Sequence, residues 1–174
     1  MRKSLLILSA VLLLALSLAG CRGVESCPAE PDILTQANNW EGDAPQDVID
    51  VVEAAGHRIS RTSTEPSILH GQRYHMELDG DKQHAVAVYK YESAEAAAAE
   101  AACIGADGFS FTFPLPDGEV SCVQVDWVDL PHFYRSGSTI ILYIGQDAGL
   151  LTAFENAFAA PFAGTEAAAP CGTE

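Results

Sequence analysis

Two small groups of side chains carry chemistry that depends on their spacing. His75, Glu77 and His84 flank Asp79-Gly80, a dipeptide that favours a two-residue hairpin turn. A two-residue loop puts Leu78 opposite Asp81, Glu77 opposite Lys82 and His75 opposite His84. Cross-strand partners sit about 5 Å apart at Cβ. Two imidazoles beside a carboxylate can bind a divalent metal, or charge together below about pH 6.5. A four-residue loop would instead put Glu77 opposite His84 and lose the imidazole pair. The reading set against both is an exposed polar strand face, and it is the expectation here, so no metal is assigned. His132, Tyr134 and Arg135 form the second group, between Pro131 and a turn at Ser136-Gly137. Aromatic rings with an arginine are the composition of binding hot spots. The plainer alternative is a hairpin end whose rings cover the core.

Other patterns are excluded by their surroundings. Asp43, Asp47, Asp50 and Glu53 are spread through a helix start, whereas a calcium loop needs ligands at alternating positions around a glycine turn. Asp79-x-Asp81 lacks the rest of an EF-hand loop. The chain has no Gly-x-Ser-x-Gly, P-loop, Gly-x-Gly-x-x-Gly or His-Glu-x-x-His. Ser, His and Asp are present, but presence does not make a triad. No catalytic residue and no cofactor is therefore expected.

The chain starts with Arg2 and Lys3, continues with an apolar run from Leu5 to Leu18 broken by Ser9 and Ser17, and reaches Leu18-Ala19-Gly20-Cys21. The run is too short for a spanning helix, which needs about 20 residues. A charged start, a short apolar stretch and a small-residue cut site read as a secretory signal. Leu18-Ala19-Gly20-Cys21 resembles the lipobox of bacterial lipoproteins. That resemblance implies cleavage before Cys21 and a diacylglyceryl group on its thiol, often with a further acyl chain on the new amino group. Each buried methylene contributes about 0.8 kcal/mol, so two or three chains make a durable anchor. The expected address is the cell membrane or outer membrane, on the extracytoplasmic side. Arg22 in the following position favours the outer membrane under the enterobacterial sorting rule.

Cys27, Cys103, Cys122 and Cys171 remain after Cys21. An even number in an exported domain reads as two disulfides, and four cysteines allow three pairings. Cys103–Cys122 with Cys27–Cys171 is the favoured pairing, because it closes one short loop and ties the domain's ends together. No two of these cysteines have the Cys-x-x-Cys spacing of a zinc site.

The full chain has 9 basic and 24 acidic residues, a net charge of −15. Loss of residues 1–20 removes Arg2 and Lys3 and takes the balance to −17. Nucleic acid and anionic headgroups repel such a surface. The partners expected are therefore the membrane, through the lipid alone, and an envelope protein or small ligand.

These groups must be held by a single domain over residues 33–164, with an acidic tether at 21–32 and a polar tail at 165–174. Pro45 to Ala55 reads as a helix, with Val48, Val51, Val52 and Ala55 on one face and Gly56 at its stop. His57 to Thr64 reads as a strand. Gly71–Leu78 and Gln83–Tyr91 form the hairpin, with Ala85, Ala87, Tyr89 and Tyr91 expected on the side of Tyr74. Ser93 caps an alanine-rich helix to about Ile104. Phe109, Phe111 and Phe113 alternate as a strand, and so do Val123, Val125 and Trp127. A short strand at Thr139–Gly145 precedes a last helix from Asp147 to Ala159. The two helix-plus-hairpin stretches, 45–91 and 93–145, are loosely alike. Hairpins favour antiparallel pairing, so an α+β domain is expected: two layers, with helices on one face of an antiparallel sheet. Trp127, His132-Phe133-Tyr134-Arg135-Ser136-Gly137 and Tyr143-Ile144-Gly145 give the segment from Val48 to Gly164 a resemblance to small bacterial envelope lipoproteins without assigned chemistry. The functional expectation is a non-catalytic binding module. A structural component of an envelope complex and a small enzyme are the alternatives.

Overall fold

Two runs of this chain, Ala85–Tyr89 and Ile140–Tyr143, are apolar and buried at every position, and they lie side by side in the interior of its sheet. The computed structural model describes residues 27–28, 40, 42–63 and 67–164. Among the described residues the helices are α1 (Gln46–Ala54), α2 (Ala94–Ala101) and α3 (Ala148–Phe158). The strands are β1 (Ile59–Ser63), β2 (Gln72–Leu78), β3 (Asp81–Lys90), β4 (Ser110–Pro114), β5 (Val120–Gln124), β6 (Pro131–Ser136) and β7 (Thr139–Ile144). Five strands form one antiparallel sheet in the order β1-β2-β3-β7-β6, and β4 pairs with β5 in a separate hairpin. Ser93 Oγ caps α2 by accepting from Ala96 N–H at 3.1 Å. Asp147 Oδ1 caps α3 by accepting from Leu150 N–H at 2.8 Å. The leader with Cys21, most of 22–39 and the tail with Cys171 lie outside the described residues.

The α+β class with an antiparallel sheet is observed, but the helices do not share one face. Val86, Val88, Ile141 and Tyr143 pack with Val48 and Val52 of α1 and Leu150 and Phe154 of α3. Their neighbours in the strands, Ala87, Tyr89, Ile140 and Leu142, pack with Ala97 of α2 and Phe111 and Phe113 of β4. The sheet is thus covered on both sides, which makes three layers. The two-layer expectation assumed one apolar face per strand, but β3 and β7 are apolar on both, and such strands must be buried twice. Alanine-rich α2 offers small side chains, and the phenylalanines of β4 fill out the layer beside it.

The hairpin register also departs from expectation. Leu78 faces Asp81, as a two-residue loop requires, but Glu77 faces Ala85 and His75 faces Ala87. Lys82, Gln83 and His84 form a bulge between these pairs. An insertion of three residues is odd, so it turns every later side chain to the other face. Val86 and Val88, not Ala85 and Ala87, therefore share the side of Tyr74 and Met76. The larger valines meet α1 and α3.

Cys27 is bonded to Cys103, which overturns both favoured pairings. Cys103 is 1 % exposed and lies in the core beside α2. Cys122 pairs with Thr112 across the β4–β5 hairpin and is exposed, on the opposite side from Phe111 and Phe113. Strand alternation thus points Cys122 away from Cys103. Cys122 is itself disulfide-bonded. Cys27 is buried in the core, so the domain begins earlier than residue 33 and takes in part of the stretch read as a tether.

Candidate functional site

Four separate segments meet beyond the β2–β3 turn. Gly56, at φ +94°, ends α1 and sends the chain back past that turn, which places His57 beside Asp79. Asp79 opens the turn at φ +56°, a left-handed conformation that aspartate tolerates better than most residues. Its N–H donates to Arg58 O at 2.8 Å, and its Oδ1 accepts from Arg58 N–H at 2.9 Å. This two-way exchange fastens the α1–β1 connection to the hairpin turn. Asp79 Oδ2 lies 2.7 Å from His57 Nδ1. The His57 hydrogen bond first, and the Arg58 N–H second, hold the Asp79 carboxyl below its usual pKa. An ionised carboxylate only accepts, so Nδ1 carries the proton.

The bulge brings His84 to the same place. Its ring meets that of His57 edge to face at 5.1 Å, and its Nε2 lies 2.8 Å from Tyr143 Oη. Burial pushes the Tyr143 phenol up to about 12, so it stays protonated. Tyr143 Oη also accepts from Asp147 N–H at 3.0 Å. Asp147 Oδ1 stands 3.6 Å from His57 Nε2, too far for a hydrogen bond. The Leu150 N–H is the main cause of a lowered Asp147 pKa. One ligand atom each from His57, Asp79 and His84 lies within 4.8 Å of the others. The His57 side chain is 14 % exposed and that of Asp79 45 %, so the cluster has a sheltered floor and an open side.

The residues singled out by spacing fare differently. His84 belongs to this cluster, but His75 and Glu77 are on the other face of the sheet, and His75 Nδ1 lies 3.1 Å from an Arg73 guanidinium nitrogen. The metal set His75–Glu77–His84 is therefore dismantled by the bulge. His132, Tyr134 and Arg135 do not form one exposed surface. His132 is partly buried and stacks on Tyr143 at 5.9 Å, and burial lowers its pKa. Tyr134 is fully buried against Phe154. Arg135 is exposed on the opposite face, where it lines a shallow groove of about 400 Å³ with Glu95 and Ala98. His57, Tyr143 and Asp147 carried no local signal of a site. Glu100 was missed as well: it is 1 % exposed, and its carboxylate lies 2.9 Å from His70 Nδ1.

No family model, curated protein or solved structure matches this chain. Its function has to come from the site itself. The His57–Asp79 pair has the form of a base with its orienting carboxylate. The group facing His57 Nε2, however, is the Asp147 carboxylate rather than a hydroxyl. Ser60 Oγ, close by, is committed to Glu77 O and Gly80 N–H, each at 3.0 Å. With two carboxylates beside His57, the arrangement is suited to holding a positively charged or proton-donating ligand.

Proposed function

We propose that the chain is a lipid-anchored, extracytoplasmic binding module that holds a small ligand or an envelope protein without chemical turnover. The observation that carries the reading is the Cys27–Cys103 disulfide, six positions after Cys21. A disulfide of this kind belongs to an oxidising compartment, and the leader ending at Leu18-Ala19-Gly20-Cys21 supplies the route there. Six residues span at most about 21 Å. A domain stapled at Cys27 and lipidated at Cys21 would ride close to the headgroups rather than on a long tether. The acidic surface would keep it from adhering to anionic lipid. Among the described residues no helix is long and apolar enough to cross a membrane.

The experiment is metabolic labelling with palmitate, comparing the natural chain with Cys21→Ser. The natural chain should label and sediment with membranes, and the variant should do neither. Continued labelling and membrane attachment of Cys21→Ser would refute the anchor.

A further inference from the structure

We propose that His57, Asp79 and His84 are the ligands of a divalent transition-metal ion of the zinc class, with Asp147 and Tyr143 holding the two imidazoles from behind. Two imidazoles and one carboxylate are the donor set of open zinc sites, where solvent or a ligand takes the remaining position. Calcium and magnesium prefer all-oxygen sets. The three ligand atoms already lie within 4.8 Å of one another. Bonds near 2.1 Å require ligand separations of about 3.4 Å in a tetrahedron. Small side-chain rotations would close that difference, while the His57–Asp79 contact at 2.7 Å would open slightly.

The groups behind the two imidazoles, Tyr143 and Asp147, are what separate this cluster from a chance meeting of polar groups. A ligating histidine usually donates its other ring N–H to a carboxylate, carbonyl or water, which fixes tautomer and orientation. His84 Nε2 is tied to Tyr143 Oη, which leaves Nδ1 for the ion. His57 Nδ1 gives its proton to solvent as the ion arrives, and Nε2 takes one up. The acceptor for that new N–H is Asp147 Oδ1, which stands 3.6 Å away and has only a few tenths of an ångström to close. Tyr143 and Asp147 are in turn joined by the Asp147 N–H at 3.0 Å. Asp79 and Asp147 together match the two positive charges of the ion. The net charge of −15 raises the local concentration of cations.

This inference rests on the binding-module reading, to which it gives a ligand class, but not on the anchor. Zinc titration and palmitate labelling fail independently. The test is calorimetric titration of purified, chelator-treated full-length protein with zinc chloride, with cobalt(II) absorbance as a ligand-field readout. One ion per chain should bind. His57→Ala and His84→Ala should each weaken binding more than about tenfold, and Asp147→Asn by about tenfold. His75→Ala, on the other face of the sheet, should leave the affinity unchanged. Paramagnetic broadening by cobalt in the unmutated protein should reach the His57 and His84 rings before those of His70, His75 and His132, and this arm needs no variant to fold. Absence of saturable binding below about 1 mM, or equal damage from His75→Ala and His84→Ala, would overturn the site.

Discussion

His57 Nδ1 and Asp79 Oδ2 lie 2.7 Å apart, although 22 positions separate the two residues. The contact joins the end of α1 to the β2–β3 turn, and the Asp79–Arg58 backbone exchange stands beside it. Asp79→Asn keeps a carbonyl for Arg58 N–H and a side chain that tolerates positive φ, but weakens the link to His57. Asp79→Ala loses both bonds and the left-handed tolerance. Thermal melts in chelator should therefore rank natural chain, then Asn, then Ala. Equal melting of the two variants would mean that the turn does not depend on the Asp79 side chain's contact with Arg58.

The Cys27–Cys103 bond spans a separation of 76 residues. Closing a loop of that size removes about 4.5 kcal/mol of unfolded-chain entropy in the polymer model, and native disulfides typically contribute about 2–5 kcal/mol. Cys27→Ser with Cys103→Ser should lower the urea midpoint, and the unfolding free energy by at least about 2–5 kcal/mol, since two hydroxyls would also replace buried sulfur. An unchanged midpoint would show that the staple does not constrain the chain.

The helices were readable because their signals are local. Ser93 and Asp147 are caps, Gly56 is a stop, and Val48/Val52 and Leu150/Phe154 recur at helical spacing. The Asp79-Gly80 turn was readable for the same reason. The bulge at Lys82–His84 was not. Its register is chosen by which residues meet the helices, and Val86 and Val88 fill the space against α1 and α3 better than Ala85 and Ala87 would. That choice is tertiary, and it alone moves His84 from His75 to His57. Cys27 meets Cys103 for an equally non-local reason, since strand alternation points Cys122 the other way. Within the site, His84 was visible as a chemical group, whereas His57 and Asp147 gain meaning only where α1, the turn and α3 converge.

His132 should make stability fall on acidification. Burial lowers its pKa below the ordinary 6.5, against a Gly145 backbone hydrogen bond and the charges of Asp129 and Glu155, which raise it. The unfolded chain then binds a proton near 6.5 and the folded chain only at lower pH. In that window the unfolded state holds more protons, so stability is full above 6.5 and is lost as pH falls through the folded value. Melting temperatures between about pH 7.5 and 5 should drop more steeply for the natural chain than for His132→Phe, whose ring can still stack on Tyr143. Parallel slopes would show that His132 protonates equally in both states.

Tyr134 is a core residue with a hydroxyl that has no hydrogen-bond partner among the described residues. Its ring packs on Phe154 at 5.4 Å. An unsatisfied buried hydroxyl costs about 1–3 kcal/mol, so Tyr134→Phe should be neutral or stabilising. Tyr134→Ala empties the space beside Phe154 and should cost about 3–5 kcal/mol. Arg135→Ala, one residue on and exposed, should stay within about 0.5 kcal/mol. Urea unfolding of the three variants separates packing from recognition at this strand. A loss of about 2 kcal/mol in Tyr134→Phe would mean that the hydroxyl does find a partner, and would return Tyr134 to the list of polar groups available to a ligand.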